Sequence, residues 1–265
     1  MIPPTLPIVW LREARLHAIT ERQCVQQVLE ALEAGRGGWV GTMNLEHLQR
    51  LVQHPRYADL YRQASLVVAD GMPLVWASRL QGTPLPERVT GSSLIWSLSV
   101  AAAQRGRSIF LLGGAPDAVP LAANALRQRI PALTIAGLAC PPIGFETREE
   151  EFQALRRTLV TAAPDIVFVG LGTPKQEALI ERLRGDLPAA WWLGVGISFS
   201  FVAGTIPRAP LWMQRLGLEW LHRLLREPRR LAGRYLLRGI PFALTLLVGT
   251  LVRRWSGAAP ARRST

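Results

Sequence analysis

The chain has 265 residues, 49% of them hydrophobic and nine of them Trp, and a chain this apolar buries a core, which excludes a disordered polypeptide. Its 31 Lys and Arg against 19 Asp and Glu give a formal charge of +12, and Lys175 is the only lysine. Two cysteines, Cys24 and Cys140, are too few for a disulfide framework and fit a reducing compartment.

The first residues, MIPPTLPIVWLR, lack the basic start and long apolar run of a secretory signal. Thr20 opens a helical pattern (Val25, Val28, Leu29, Leu32) that stops at Gly35, Gly37 and Gly38. A short strand is expected at 39–42, then amphipathic helices to Ala64, and a buried strand at 65–69 ending at Asp70-Gly71. A helix at 72–80, a turn around 82–88 and a helix at 92–104 follow. Next come a strand at 108–114, a helix at 116–130, a strand at 132–138 and the loop CPPIGF at 140–145. The body closes with a helix at 147–162, a strand at 165–172, a helix at 174–184 and a strand at 189–196. Apolar strands separated by amphipathic helices predict an α/β fold: a Rossmann-like parallel sheet sandwiched by helices. Such sheets bind ligands at the carboxyl ends of their strands.

Five strand ends draw attention: Thr42-Met43-Asn44, Asp70-Gly71, Gly113-Gly114, Gly170 to Glu177, and Gly194-Val195-Gly196. Glycine lets a backbone approach a ligand, and the following helix N-terminus offers free N–H groups to phosphate; tight βα turns use the same residues. Neither Gly170/Gly172 nor Gly194/Gly196 completes a dinucleotide-binding fingerprint, and Lys175 lies outside any P-loop. The five Asp (59, 70, 117, 165, 186) include no D-x-D pair, so a nucleoside diphosphate here would be met by Arg, Lys and helix N-termini, with no metal and no cofactor. Asp70 is placed to take a proton from an incoming hydroxyl or, equally, to cap the next helix. Thr42 and Asn44 face the same choice between ligand and cap. His17, His47, His54 and His222 are scattered and read as surface or packing residues, and Cys140 shows no sign of being a nucleophile.

The charge is uneven. Residues 205–265 hold twelve Arg (208, 215, 223, 226, 229, 230, 234, 238, 253, 254, 262, 263) against Glu219 and Glu227. Leu, Trp and Tyr recur there at helical spacing, which suits an anionic membrane surface better than a nucleic acid, whose reading helix would be mostly polar. The longest apolar run, Ile240 to Val252, contains Pro and Gly and is too short to span a bilayer, so it is expected to lie in the interface. The alternatives are a helix packed on the body with its arginines solvated, or burial in a second copy of the chain. The division expected is an α/β body at 1–204 (an acceptor-side part to about 104, a nucleotide-binding part at about 105–204) and a basic helical appendage at 205–265.

The runs 67–94 (VVADGMPLVWASRLQGTPLPERVTGSSL), 110–133, PPIGF at 141–145, IVFVGLGTPKQE at 166–177 and 194–236 resemble the WecG/TagA/CpsF family of bacterial glycosyltransferases from about Thr42 to Tyr235. ADGMP…RLQG…PLPERVTG is most similar to the glucosyltransferases of xanthan-type exopolysaccharide assembly. The resemblance implies an inverting, metal-independent transfer from a UDP-sugar, UDP-glucose in that subgroup, to a polyprenyl-diphosphate-linked saccharide. It implies a peripheral enzyme on the cytoplasmic face of the inner membrane. By the same resemblance Asp70 is the general base, Thr42 and Asn44 line the acceptor or sugar pocket, and Arg88 meets the nucleotide diphosphate. Gly113, Gly114, Gly172, Thr173, Pro174, Lys175, Gln176 and Glu177 form the donor site. Arg208, Arg223, Arg230 and Arg234 close over the diphosphate at the membrane side. Two positions depart from the family pattern: Ser93 and Ser200 stand where Asp is usual. A non-catalytic, membrane-associated sugar-nucleotide-binding subunit is the alternative, and it would need the GTPKQE loop but not Asp70.

Overall fold

A computed structural model describes residues 6–255; Arg262 and Arg263 of the basic tail lie outside the described residues. The body is built on six parallel strands: β3 (Gly38–Met43), β4 (Leu66–Ala69), β5 (Ser108–Gly113), β6 (Thr134–Ala139), β7 (Ile166–Gly170) and β8 (Trp191–Gly194), ordered β4-β3-β8-β7-β5-β6. Apart from β6 at the edge, these strands are buried along nearly their whole length, as their uninterrupted apolar runs require of a sheet covered on both faces. One core layer is centred on Trp39, Phe110 and Trp192, the other on Leu94, Leu111 and Phe168.

Thr20 caps α1 (Glu21–Glu33) in a reciprocal capping box with Gln23, and the helix buries Cys24, Val28, Leu29 and Leu32. α2 (Leu45–Gln53) and α3 (Pro55–Arg62) follow β3, and α4 (Met72–Gln81) follows β4. α5 (Gly91–Gln104), α6 (Ala118–Arg129), α7 (Glu149–Ala162) and α8 (Lys175–Leu183) complete the crossovers. The strands run on either side of residue 104 into one sheet, because β7 and β8 insert between β3 and β5. Ahead of the body stands an antiparallel hairpin that the sequence reading did not anticipate, β1 (Ile8–Leu11) with β2 (Ala14–His17).

Beyond the sheet, α9 (Ser198–Ala203), α10 (Leu211–Arg215), α11 (Glu219–Arg226) and α12 (Pro228–Ala232) lead into a π-helical stretch at Gly233–Gly239 and then α13 (Ile240–Trp255). The apolar run, expected to be too short to span a bilayer, is part of a longer helix: residues Pro228–Trp255 form one helical rod of 28 residues, long and apolar enough to cross a membrane by length and composition. Pro241 lacks an N–H and its ring crowds the carbonyl four residues back. The wider π turns end immediately before it, so the rod continues where an α-helical turn would clash. The rod is docked along α4, with Leu246 and Thr250 buried and Arg12 Nη2 donating to the Thr245 carbonyl at 3.2 Å.

Candidate active site

A cleft of about 1110 Å³ opens at the carboxyl ends of β3, β4, β5, β7 and β8 and is roofed by α11 and the π stretch. Strand order explains its place: β3 and β4 build outward to one edge, β5 and β6 to the other, and β7 and β8 fill the middle.

Asp70 lies at its floor. It follows the last residue of β4, half-buried, and does not cap α4, whose N-cap is Gly71 without any side-chain bond. Instead its Oδ2 accepts the N–H of Gly91 at 3.2 Å, at the start of α5. Burial pushes the Asp70 carboxyl up to about 6, and Glu219 adds to this, while the Gly91 N–H, Arg88 and His47 pull the other way. A carboxylate with this proton affinity is ionised at neutral pH and basic enough to accept a proton from a hydroxyl in a transition state.

Thr42 also lines the cleft, but its Oγ1 donates to the Gly194 carbonyl at 3.3 Å, tying the end of β3 to that of β8. Asn44 lines the cleft as well and at the same time caps α2. Its Oδ1 accepts the N–H groups of Glu46 (2.9 Å) and His47 (3.2 Å), and His47 Nδ1 accepts the Asn44 N–H at 3.0 Å.

The β7–α8 loop brings Gly172, Thr173 and Gln176 to the lining. Gln176 Oε1 accepts the Gly196 N–H at 3.1 Å, and a Cβ on Gly194 would stand 2.5 Å from Gln176 Nε2, so any larger residue there would push the amide aside. Lys175 turns away and pairs with Glu146 Oε1 at 2.8 Å, which helps hold the Glu146 carboxyl below its ordinary value. Lys175, Gly113, Pro174 and the buried Glu177 are outside the lining, whereas Gly114 contributes to it. Of the two departures, Ser200 lines the cleft, while Ser93 binds Thr90 in the first turn of α5.

The roof is cationic. Arg223, Arg230, Arg234 and Arg238 all line the cleft, and Arg208, outside the lining, pairs with Glu219 at 3.1 Å. Arg88 pairs with the other oxygen of Glu219, and Arg234 pairs with Glu46 of α2. Burial opposes charge on Glu219, but Arg88 and Arg208 outweigh it and hold the carboxyl below its ordinary value. Neither Glu219 nor Arg238 was singled out from the sequence for the site; only their helical spacing to Arg223 and Arg234 could have pointed to them. Among the described residues, no three His, Cys, Asp or Glu side chains gather as metal ligands.

A doubly covered parallel sheet with a carboxylate floor and an arginine roof at its strand ends is the architecture of an enzyme that handles an anionic substrate. The chain matches the glycosyl transferase WecG/TagA/CpsF family over residues 9–256 and belongs to that family, and it is therefore a glycosyltransferase. It is 33% identical over 199 residues (75% of each chain) to the N-acetylglucosaminyldiphosphoundecaprenol N-acetyl-beta-D-mannosaminyltransferase of Bacillus spizizenii strain W23. It is 31% identical over 211 residues (80% of this chain, 79% of the relative) to the enzyme of that name from Bacillus subtilis strain 168. The Staphylococcus aureus MW2 enzyme of that name is 34% identical over 203 residues (77% and 76%).

Proposed function

We propose that the protein transfers a sugar from a UDP-sugar to a hydroxyl of a polyprenyl-diphosphate-linked saccharide, with inversion and without a metal ion. The observation that carries this reading is the placement of Asp70, with its raised proton affinity, on the floor of a cleft whose roof is arginine. The names of the relatives, which specify a diphosphoundecaprenol acceptor, support it.

In the reaction, the acceptor hydroxyl gives its proton to the Asp70 carboxylate as its oxygen bonds to the donor C1. The bond from C1 to the diphosphate oxygen breaks, and the electron pair leaves with UDP. Arg88, Arg223, Arg230 and Arg234 face the negative charge that develops there, the kind of fixed electrostatic stabilisation that lowers such barriers most. Inversion follows from a single displacement, with base and leaving group on opposite sides of C1. Thr173 and Gln176 belong to the donor side, with Thr42 and the β3 end on the acceptor side.

The rod supplies the membrane contact. On α13, Leu244 (57% exposed), Val248 (59%), Val252 and Trp255 face outward while Leu246 and Thr250 face α4. An apolar face beside exposed Arg226, Arg229 and Arg230 suits a peripheral helix lying in an anionic interface. On this reading the cleft mouth lies at the surface that holds a polyprenyl substrate, on the cytoplasmic face of the membrane.

A donor screen tests the reading. The protein is incubated with a short polyprenyl-diphosphate-linked N-acetylglucosamine and a panel of UDP-sugars, and products are read by mass. UDP-N-acetylmannosamine is the first donor to try, from the relatives, and UDP-glucose the second, from the xanthan-type resemblance. One new lipid-linked disaccharide is expected; no product with any donor or lipid-linked acceptor overturns the reading.

A further inference from the structure

His47 lies at the third position of α2 and lines the cleft, on the opposite side of β8 from the β7–α8 loop. Its two ring nitrogens do different work. Nδ1 accepts the Asn44 N–H, so it carries no proton, and the ring proton of the neutral imidazole is on Nε2. Nε2 faces the Thr173 hydroxyl and Glu177 Oε1, the latter at 3.3 Å. The Thr173 hydroxyl donates to Glu177 Oε1 at 3.2 Å, and Gln176 Nε2 donates to the same oxygen at 2.9 Å. Glu177 is 2% exposed. Burial alone would raise its carboxyl, but the hydrogen bonds from His47 and Gln176 outweigh that and keep it below its ordinary value.

This arrangement removes an ambiguity at Gln176. A carboxylate only accepts and a backbone N–H only donates, so Glu177 on one side and Gly196 on the other fix which end of the amide is nitrogen. Nε2 itself lies beside Gly194, in the cleft lining, and keeps a second hydrogen beyond the one given to Glu177, where a flipped amide would present oxygen. The bridge reaches across the end of β8, from the β3 side to the β7 side, and joins the two halves of the cleft.

We infer that His47 and Glu177 are positioning residues that, across β8, fix the Gln176 amide as a hydrogen-bond donor toward an acceptor oxygen of the donor substrate. This rests on the donor-site reading of the β7–α8 loop. Both act through Gln176 and Thr173, to which the bridge ties them.

Two His47 variants separate this role from capping. His47→Asn keeps an acceptor for the Asn44 N–H but is too short to reach Glu177. His47→Gln has the length to restore a donor at the Nε2 position. The expected result is that His47→Asn and Glu177→Gln weaken UDP binding, read by calorimetry, and raise the donor KM by about tenfold, the scale of one hydrogen bond to a charged group. The acceptor KM stays near that of the unaltered protein, and His47→Gln recovers most of the loss. Donor binding in His47→Asn equal to that of the unaltered protein overturns the inference, because capping would then be the whole role. A second measurement needs no substrate. In the unaltered protein one glutamine side-chain amide, assigned by its disappearance in Gln176→Glu, exchanges slowly with solvent by NMR, and in Glu177→Gln it exchanges fast. Fast exchange in the unaltered protein contradicts the inference. A slowly exchanging amide in a protein that binds no UDP leaves the bridge standing and overturns the donor-site reading.

Discussion

Glu219 of α11 binds Arg88, a residue 131 positions earlier in the chain, and holds Arg208 with its other carboxylate oxygen. The pair joins the body of the enzyme to its basic tail at the edge of the cleft, with both side chains about one-fifth exposed or less. A carboxylate between two guanidiniums occupies the kind of site a phosphate oxygen would take.

Substitution of Glu219 by Gln therefore removes a competing anion while loosening the tie between α11 and the body. UDP binding is expected to tighten severalfold at low ionic strength, with the gain shrinking as salt rises, and the thermal midpoint to fall. Calorimetry at two salt concentrations checks this; unchanged binding at low salt would mean that Glu219 does not compete for the arginines.

The pH profile follows from Asp70. Its carboxyl titrates at about 6, so the base is lost as pH falls through that value. The acid limb of kcat/KM is expected near pH 6, well above an ordinary carboxylate, and a limb near pH 4 would assign the base elsewhere.

The same shift has a stability consequence. Between the ordinary carboxylate value and about 6 the folded protein holds a proton that the unfolded chain has released, so the Asp70 contribution is favourable at low pH and is lost as pH rises through that window. Asp70→Asn, which stays neutral and can still accept the Gly91 N–H, is expected to melt higher than the parent at pH 8 and no higher at pH 4. Melting curves at the two values check the sign.

On the tail, Leu244→Glu with Val248→Glu places two charges on the exposed face of α13 and leaves its buried Leu246 face intact. Flotation with vesicles of anionic lipid is expected to fall strongly while UDP binding is kept. Undiminished flotation would move the membrane contact to another surface. Truncation after Gly204 is a blunter test than the sequence suggests, because it also uncovers the face of α4 on which the rod is packed.

The strands were legible because buried parallel strands are short uninterrupted apolar runs, and the expected spans for β3 to β8 fall within a few residues of the observed ones. The hairpin was not, since its turn at Arg12-Glu13 carries no Gly or Asn and places Arg12 itself at φ 53°. The length of the rod was not legible because only the 13-residue apolar run from Ile240 was counted, whereas the helix already begins at Pro228 among arginines. Of the residues in the cleft lining, Asp70 was marked by a strand end, the tail arginines by a charge count, and Arg88 only by the family resemblance. His47 was passed over because a single His has no spacing pattern, although Asn44 three residues before it is the signature of a capping box. Lys175 shows the converse: the motif places it at the loop, but as the first residue of α8 it reaches Glu146 and not the cleft.

The most direct measurement compares the parent with Asp70→Asn in transfer to a polyprenyl-diphosphate-linked saccharide, with UDP affinity measured on the same preparations. If Asp70 is the base, UDP affinity is unchanged and turnover falls by about 10² to 10⁴. Turnover of Asp70→Asn close to that of the parent would contradict it.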